Sequence, residues 1–126
     1  MLKALPKDTA DAPAKTVPDL ESEIASSARF VRQHVIASIY HAGSGHPGGS
    51  LSCADILAVL FGAELNLWSS SAADPARDRF VLSKGHAAPA LYAIAAEHGF
   101  CEKKAALALR KLGSRFQGHP DRKSVV

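Results

Sequence analysis

The sequence predicts an α/β fold that is mostly helical, with one or two short parallel strands. Apolar residues recur every three or four positions from Ile24 to Ile39, which indicates a long amphipathic helix. A second apolar run, "ILAVLF", begins at Ile56 and predicts another helix. The third observation is "RFVLSKGHAAPAL" at 79–91, which has the order of a buried strand, a tight turn and a helix. Together these patterns predict an α/β unit.

Length, composition and charge set the broad class of the protein. The chain has 126 residues, 47% of them hydrophobic, so we expect one small domain with a modest core. The formal net charge of +3 favours small anionic ligands and is too weak to indicate nucleic acid. Cys53 and Cys101 lack metal-ligand spacing and are interpreted as reduced, packed thiols. The chain has neither a secretory segment nor an apolar run that could cross a bilayer, so we predict a cytoplasmic protein without membrane contact.

The chain divides into an arm and a domain. Residues 1–18 are rich in Ala, Asp, Lys and Pro and are predicted to form a flexible arm, or a segment that drapes over a partner subunit. Residues 19–126 are predicted to form the domain. Its first helix carries an apolar stripe and ends at Gly43 and Gly45, and His34 is expected on the surface.

Three more helices are predicted after the first glycine-rich turn. The second runs from about Cys53 to Leu65, with Ser52 and Asp55 as an S-x-x-D capping pattern. The third follows the strand and ends near Gly99. The fourth lies within "CEKKAALALRKLG" at 101–113. Leu107 and the leucines at 109 and 112 are expected to face inward, with solvated Lys103, Lys104, Arg110 and Lys111.

Candidate functional residues come from a Gly-His pair that occurs in three separate loops. Glycine lets another group approach the backbone closely, and a following proline holds the preceding histidine extended. Pro47 and Pro120 follow the first and third histidines, so these two loops present an imidazole stiffly, which suits hydrogen bonding to a polar ligand and proton transfer near neutral pH. A histidine that caps a helix or bonds a nearby carbonyl is the alternative. We interpret the pairs as loops that converge on one site: Gly45-His46, Gly85-His86 and Gly118-His119.

The second pair stands at the predicted strand-to-helix turn. The first N–H groups of a helix favour an anion, and Lys84 and His86 lie beside them in sequence, so this turn is a candidate phosphate site. A zinc site is a rival explanation for the histidines. It lacks the short paired ligand spacing that is typical of zinc sites, and its ligands would be His41, His46, His86 and His119.

Three motifs together resemble the amino-terminal part of the transketolases. They are "HAGSGHPGGSLSCADILAVLF", "DRFVLSKGHAAPALYA" and "LRKLGSRFQGHPD", in that order, and the similarity covers roughly residues 24–121. The residues of these motifs look most like the split or short bacterial form, in which the two halves of the enzyme are separate polypeptides. The deoxyxylulose-phosphate synthases share part of the pattern and are kept as an alternative, although "DRFVLSKGHAA" fits them less well.

The resemblance implies a fold, a reaction and a set of site residues. The fold is the doubly wound module that binds thiamine diphosphate, and the reaction moves a two-carbon ketol unit from a ketose phosphate to an aldose phosphate. The cofactors are thiamine diphosphate and Mg or Ca, and the active site lies between two subunits or between modules of two chains. His46 and His119 are the implied catalytic residues facing substrate. The implied cofactor-binding residues are Lys84, Gly85 and His86.

The sequence departs from the family after the third motif. The family's Gly-Asp-Gly metal motif, a further glycine-rich stretch and the pyrimidine-binding module with its glutamate are absent. We therefore expect a truncated chain or fragment, inactive alone, whose metal ligands and carboxy-terminal half or second subunit lie elsewhere. A non-catalytic helical interaction fragment is the second hypothesis.

Overall fold

The structure is a computed structural model that describes residues 16–67, 70 and 72–120. Most of the predicted arm therefore lies outside the described residues, as does the tail from Asp121. The α-helices are α1 (Val17–Ala42), α2 (Pro47–Leu51), α3 (Ala54–Val59), α4 (Ala88–Glu97) and α5 (Lys103–Ala106). A π-helical turn, Leu60–Glu64, continues α3, and a 3₁₀ turn, Gly85–Ala87, leads into α4.

Helix α1 ends where the sequence predicts but begins earlier than predicted, because Val17 and Pro18, assigned to the flexible arm, form its first turn. Thr16 caps its start, because its hydroxyl accepts the backbone N–H of Asp19 while the Asp19 carboxylate accepts the backbone N–H of Thr16. Gly43 ends it in the left-handed conformation, with φ of 64°. The predicted apolar stripe packs α1 against α3 and α4.

The second predicted helix forms over the expected range but starts differently. It comprises α3 and the π-helical turn, and Leu65 closes it by donating its backbone N–H to the Leu60 carbonyl at 2.7 Å. The predicted capping pattern is wrong, since the N-cap is Cys53 and makes no side-chain capping bond. The Ser52 hydroxyl instead donates to the Gly49 carbonyl at 3.1 Å, and Asp55 forms an exposed ion pair with Arg32.

The predicted parallel strand is not present. Over the ranges that the structure describes, no residue is in a β-strand, so the α/β class is confirmed only in its helical part. The segment does have strand-like alternation: Phe80 and Leu82 pack against the core, whereas Val81 is 81% exposed. A strand also needs a neighbour to share its backbone hydrogen bonds, and no described segment pairs with this one.

The core is built around α4, whose residues from Ala88 to Ala96 are all buried. One face meets α1 and α3 through Val31, Val35 and Leu57, among others. The other face meets the carboxy-terminal loop, where Tyr92 packs edge-to-face on Phe116 with ring centroids 5.0 Å apart. This second cluster fixes the loop that carries the third Gly-His pair.

The fourth predicted helix is shorter than expected and partly wrong. Helix α5 ends at Ala106, and Arg110 turns the chain with φ of 59°. Leu109 is buried as predicted, but Leu112 is fully exposed, because the helical register does not continue to that residue. The cationic side chains of this segment are exposed as predicted.

His34 is buried, which contradicts its predicted surface position. It lies between Val31 and Val35 in sequence and shares their face of α1, with its ring 5.4 Å from that of Phe30. Burial, followed by the nearby positive charge of Lys103, lowers the pKa of His34. No helix in the described ranges is both long and apolar enough for a membrane span.

Candidate functional site

The first two Gly-His loops meet at Gly49. A Cβ atom built on Gly49 would lie 2.7 Å from Cδ2 and 2.8 Å from Nε2 of His86, closer than real Cβ atoms come to other atoms. The His86 imidazole therefore occupies the space that any larger residue at position 49 would need. This contact joins the turn before α4 to the start of α2.

The second and third loops meet in the same way at Gly85. A Cβ atom built on Gly85 would lie 2.9 Å from Cδ2 of His119. Because Gly85 directly precedes His86, the His119 ring lies beside the residue whose own ring rests on α2. The structure thus brings the three loops together in one region of the molecule.

Lys84 connects the second loop to the segment after α2. Its ammonium group donates to the Ser52 hydroxyl at 2.8 Å. A lysine ammonium carries three N–H donors, and the Ser52 contact uses one of them. The Lys84 stem also lies near Gly49, with Cε 3.5 Å from the position of a built Cβ. A positive charge therefore stands next to the His86 imidazole, where an anion can approach.

His46 holds a fixed place in the first loop. It is the N-cap of α2, with an extended backbone (φ of −121°), and Pro47 follows as the first helical residue. Gly45 has φ of 145°, and a Cβ atom there would lie 3.1 Å from Cγ1 of Ile39. Glycine is needed at position 45 for both reasons. His46, like His86 and His119, is exposed to solvent.

Polar contacts fasten the carboxy-terminal loop to the first loop and to α4. Arg110 Nη1 donates to the Ser44 hydroxyl at 3.2 Å, and Lys111 Nζ donates to the His41 carbonyl at 2.8 Å. The Tyr92 hydroxyl donates to the Gln117 carbonyl at 3.0 Å. Arg110 and Ser52 also belong to this region, which the sequence did not predict. No local signal could have found them, since their partners lie 66 and 32 positions away.

The described residues do not offer a metal site. No group of three or more His, Cys, Asp and Glu side chains within these ranges could hold a metal ion. The zinc alternative built on His41, His46, His86 and His119 therefore lacks the cluster that it requires. Burial raises the pKa of the Cys53 thiol, although the charge of Lys84 opposes this, so a neutral thiol is favoured near α2.

The geometry defines a class of site: exposed imidazoles and an ammonium group around glycine backbone, suited to a polar anionic ligand. The thiamine diphosphate-binding domain of the transketolases matches residues 22–126, and the chain belongs to this family. The resemblance stated from the three motifs is thereby confirmed.

Individual relatives agree with this assignment. Human transketolase is 48% identical over 94 residues, which cover 75% of this chain and 15% of the human protein. A 6-deoxy-6-sulfo-D-fructose transketolase subunit of a Clostridium species is 35% identical over 104 residues, covering 82% of this chain and 38% of that protein. The solved transketolase of Leishmania mexicana superposes with a TM-score of 0.69 at 32% identity, covering 81% of this chain and 15% of that one. The chain thus spans a small part of the relatives it matches.

Proposed function

We propose that this chain forms one wall of a transketolase active site, in which the Gly-His loops hold the diphosphate of thiamine diphosphate and face a sugar phosphate. The contact of His86 with Gly49 and of His119 with Gly85 is the observation that carries this proposal. These contacts bring together three loops whose imidazole and ammonium groups can bind a phosphorylated cofactor and a polyhydroxylated substrate. The reaction is transfer of a two-carbon ketol unit from a ketose phosphate to an aldose phosphate.

The second loop is proposed to bind the diphosphate. Lys84 offers ammonium N–H groups beyond the one that bonds Ser52, and His86 offers an exposed imidazole. Because Gly49 and Gly85 have no Cβ, the His86 and His119 rings lie directly against the glycine backbone of the proposed site. These residues fit an anion. They do not fit a divalent cation, because the described ranges contain no ligand group for one. We therefore place the Mg or Ca ligands outside the described residues.

His46 and His119 are the proposed catalytic residues. Thiamine diphosphate, when bound, supplies the electron sink needed to break a carbon–carbon bond beside a carbonyl. The exposed imidazoles can donate hydrogen bonds to the carbonyl and hydroxyl oxygens of the sugar and transfer protons to or from them. The stiff Gly-His-Pro backbone keeps the cost of orienting each ring low.

The remaining parts of the site are proposed to come from a carboxy-terminal transketolase half or a second subunit, in the cytoplasm. We expect the chain alone to bind thiamine diphosphate weakly and to show no ketol transfer. A transfer rate above the blank with the isolated chain would contradict the need for a partner. Conversion of pyruvate and glyceraldehyde phosphate would instead support the deoxyxylulose-phosphate synthase alternative.

Titration of the labelled full-length chain with thiamine diphosphate tests the proposed diphosphate site. We expect NMR signals of Lys84, Gly85 and His86 to shift, and unphosphorylated thiamine to leave them unchanged. Lys84→Met should weaken binding several-fold because it removes the ammonium group. Lys104→Met is the matched control, since Lys104 is an exposed lysine on α5.

Two results would contradict the proposed diphosphate site and support the hypothesis of a non-catalytic interaction fragment. Signals that shift elsewhere on the molecule, or equal weakening by Lys84→Met and Lys104→Met, would show that the phosphate contacts are not made at this turn.

A further inference from the structure

Arg110 has a backbone conformation that normally favours glycine. Its φ is 59°, and it is the one non-glycine residue of the described ranges with a positive φ. Its backbone N–H donates to the Phe116 carbonyl at 2.7 Å, which closes the loop between these residues. A side chain retained at such a position often has a functional use that offsets the strain. The contacts of the Arg110 side chain indicate what that use is.

The Arg110 guanidinium reaches two of the three Gly-His loops. Nη1 donates to the hydroxyl of Ser44, which lies two residues before His46. On its other side the group rests against Gly118, where a built Cβ would lie 3.0 Å from Nε and 3.4 Å from Nη2. Gly118 directly precedes His119. The Arg110 side chain thus contacts Ser44 and Gly118, which lie just before the two proposed catalytic histidines in sequence.

We propose that Arg110 is a positioning residue that fastens the first Gly-His loop to the third and thereby sets His46 relative to His119. An arginine suits this task because its planar group carries five N–H donors in a fixed arrangement, so it can serve two loops at once. The reactive role of the two histidines rests on the proposed function, whereas the fastening itself is a property of the cofactor-free chain.

Two substitutions of Arg110 in the 126-residue chain distinguish the role of the guanidinium group from that of the backbone conformation. Arg110→Gly keeps a residue that adopts positive φ readily and removes the side chain. Arg110→Met keeps a long side chain without the donors. Arg115→Met is the matched control, since Arg115 is another exposed arginine in the same loop.

The readout is the NMR signal of each imidazole. Both Arg110 variants should shift the imidazole signals of His46 and His119. Arg115→Met should change none of these. The internal references are His34 in α1 and His98 at the end of α4, whose signals should stay fixed in every variant.

Unchanged imidazole signals of His46 and His119 in folded Arg110→Gly would overturn the proposal, as would equal shifts in Arg115→Met. If the Arg110 variants do not fold, Ser44→Ala removes the same hydrogen bond from an exposed acceptor. It should shift the His46 signal, and its failure to do so would equally overturn the proposal. No cofactor is present in these measurements, so they do not depend on the thiamine diphosphate titration.

Discussion

Two neighbouring glycines in α2 provide the sharpest test of how the loops fit together. Gly48 and Gly49 occupy the same short helix, but a Cβ atom at position 48 would meet nothing within 4 Å. At position 49 it would lie 2.7 Å from the His86 ring. Gly48→Ala and Gly49→Ala therefore add the same methyl group, but only the one at position 49 collides with the His86 ring.

The two substitutions should have different effects on stability. Alanine in place of glycine stabilises a helix by about 0.5–1 kcal/mol, and α2 is short enough that we expect the lower end for both. In Gly49→Ala the exposed His86 ring must rotate away, which costs about 0.5–1.5 kcal/mol if it leaves its preferred rotamer. Gly48→Ala should thus raise the free energy of unfolding by about 0.5 kcal/mol, and Gly49→Ala should be about 1 kcal/mol less stable than that variant.

The larger expected effect is on the position of His86. Urea unfolding measures the stability difference, and the His86 imidazole signal measures the displacement. Gly49→Ala should move that signal and weaken thiamine diphosphate binding, whereas Gly48→Ala should leave both near the wild-type values. A wild-type His86 signal in Gly49→Ala would refute the close contact, and with it the convergence of the first two loops.

Three further predictions concern the body of the domain. The free energy of unfolding should fall between about pH 7.5 and 5.5, because burial lowers the pKa of His34 and His98 and the unfolded chain then binds more protons than the folded one. His34→Leu should flatten that dependence in urea titrations at several pH values. Tyr92→Phe removes the bond to the Gln117 carbonyl and should cost about 1 kcal/mol in the same assay. Leu57→Ala in the fully buried core should cost about 2–5 kcal/mol, and a smaller loss would contradict the packing of α3 on α1.

The sequence predicted what depends on local pattern. The stripe on α1, its end at Gly43 and the extent of the second helix follow from periodicity and from the conformational freedom of glycine. The Gly-His loops stood out because a glycine, a histidine and often a proline constrain the backbone within three residues. The roles of Lys84 and the histidines toward a ligand stay predictions that the titrations above test.

What the sequence did not predict depends on distant partners. The "RFVLS" segment has the alternation of a strand, but pairing requires a neighbour that sequence pattern alone cannot supply. The predicted surface position of His34 is wrong, since its helical position puts it on the buried face with Val31. Ser52 and Asp55 fit a capping pattern, yet Lys84 and Arg32 provide them with partners from elsewhere in the fold.

The contacts among the Gly-His loops form a closed circuit. The first loop contacts the second where His86 rests on Gly49, and the second contacts the third where His119 rests on Gly85. The third returns to the first through Arg110, which lies against Gly118 and bonds the Ser44 hydroxyl. The missing Cβ atoms of Gly49 and Gly85 leave room for a histidine of another loop, and that of Gly118 leaves room for Arg110 of its own loop. The His86 and His119 imidazoles are therefore oriented by contacts beyond their own backbone, and this is the condition that a preorganised site requires.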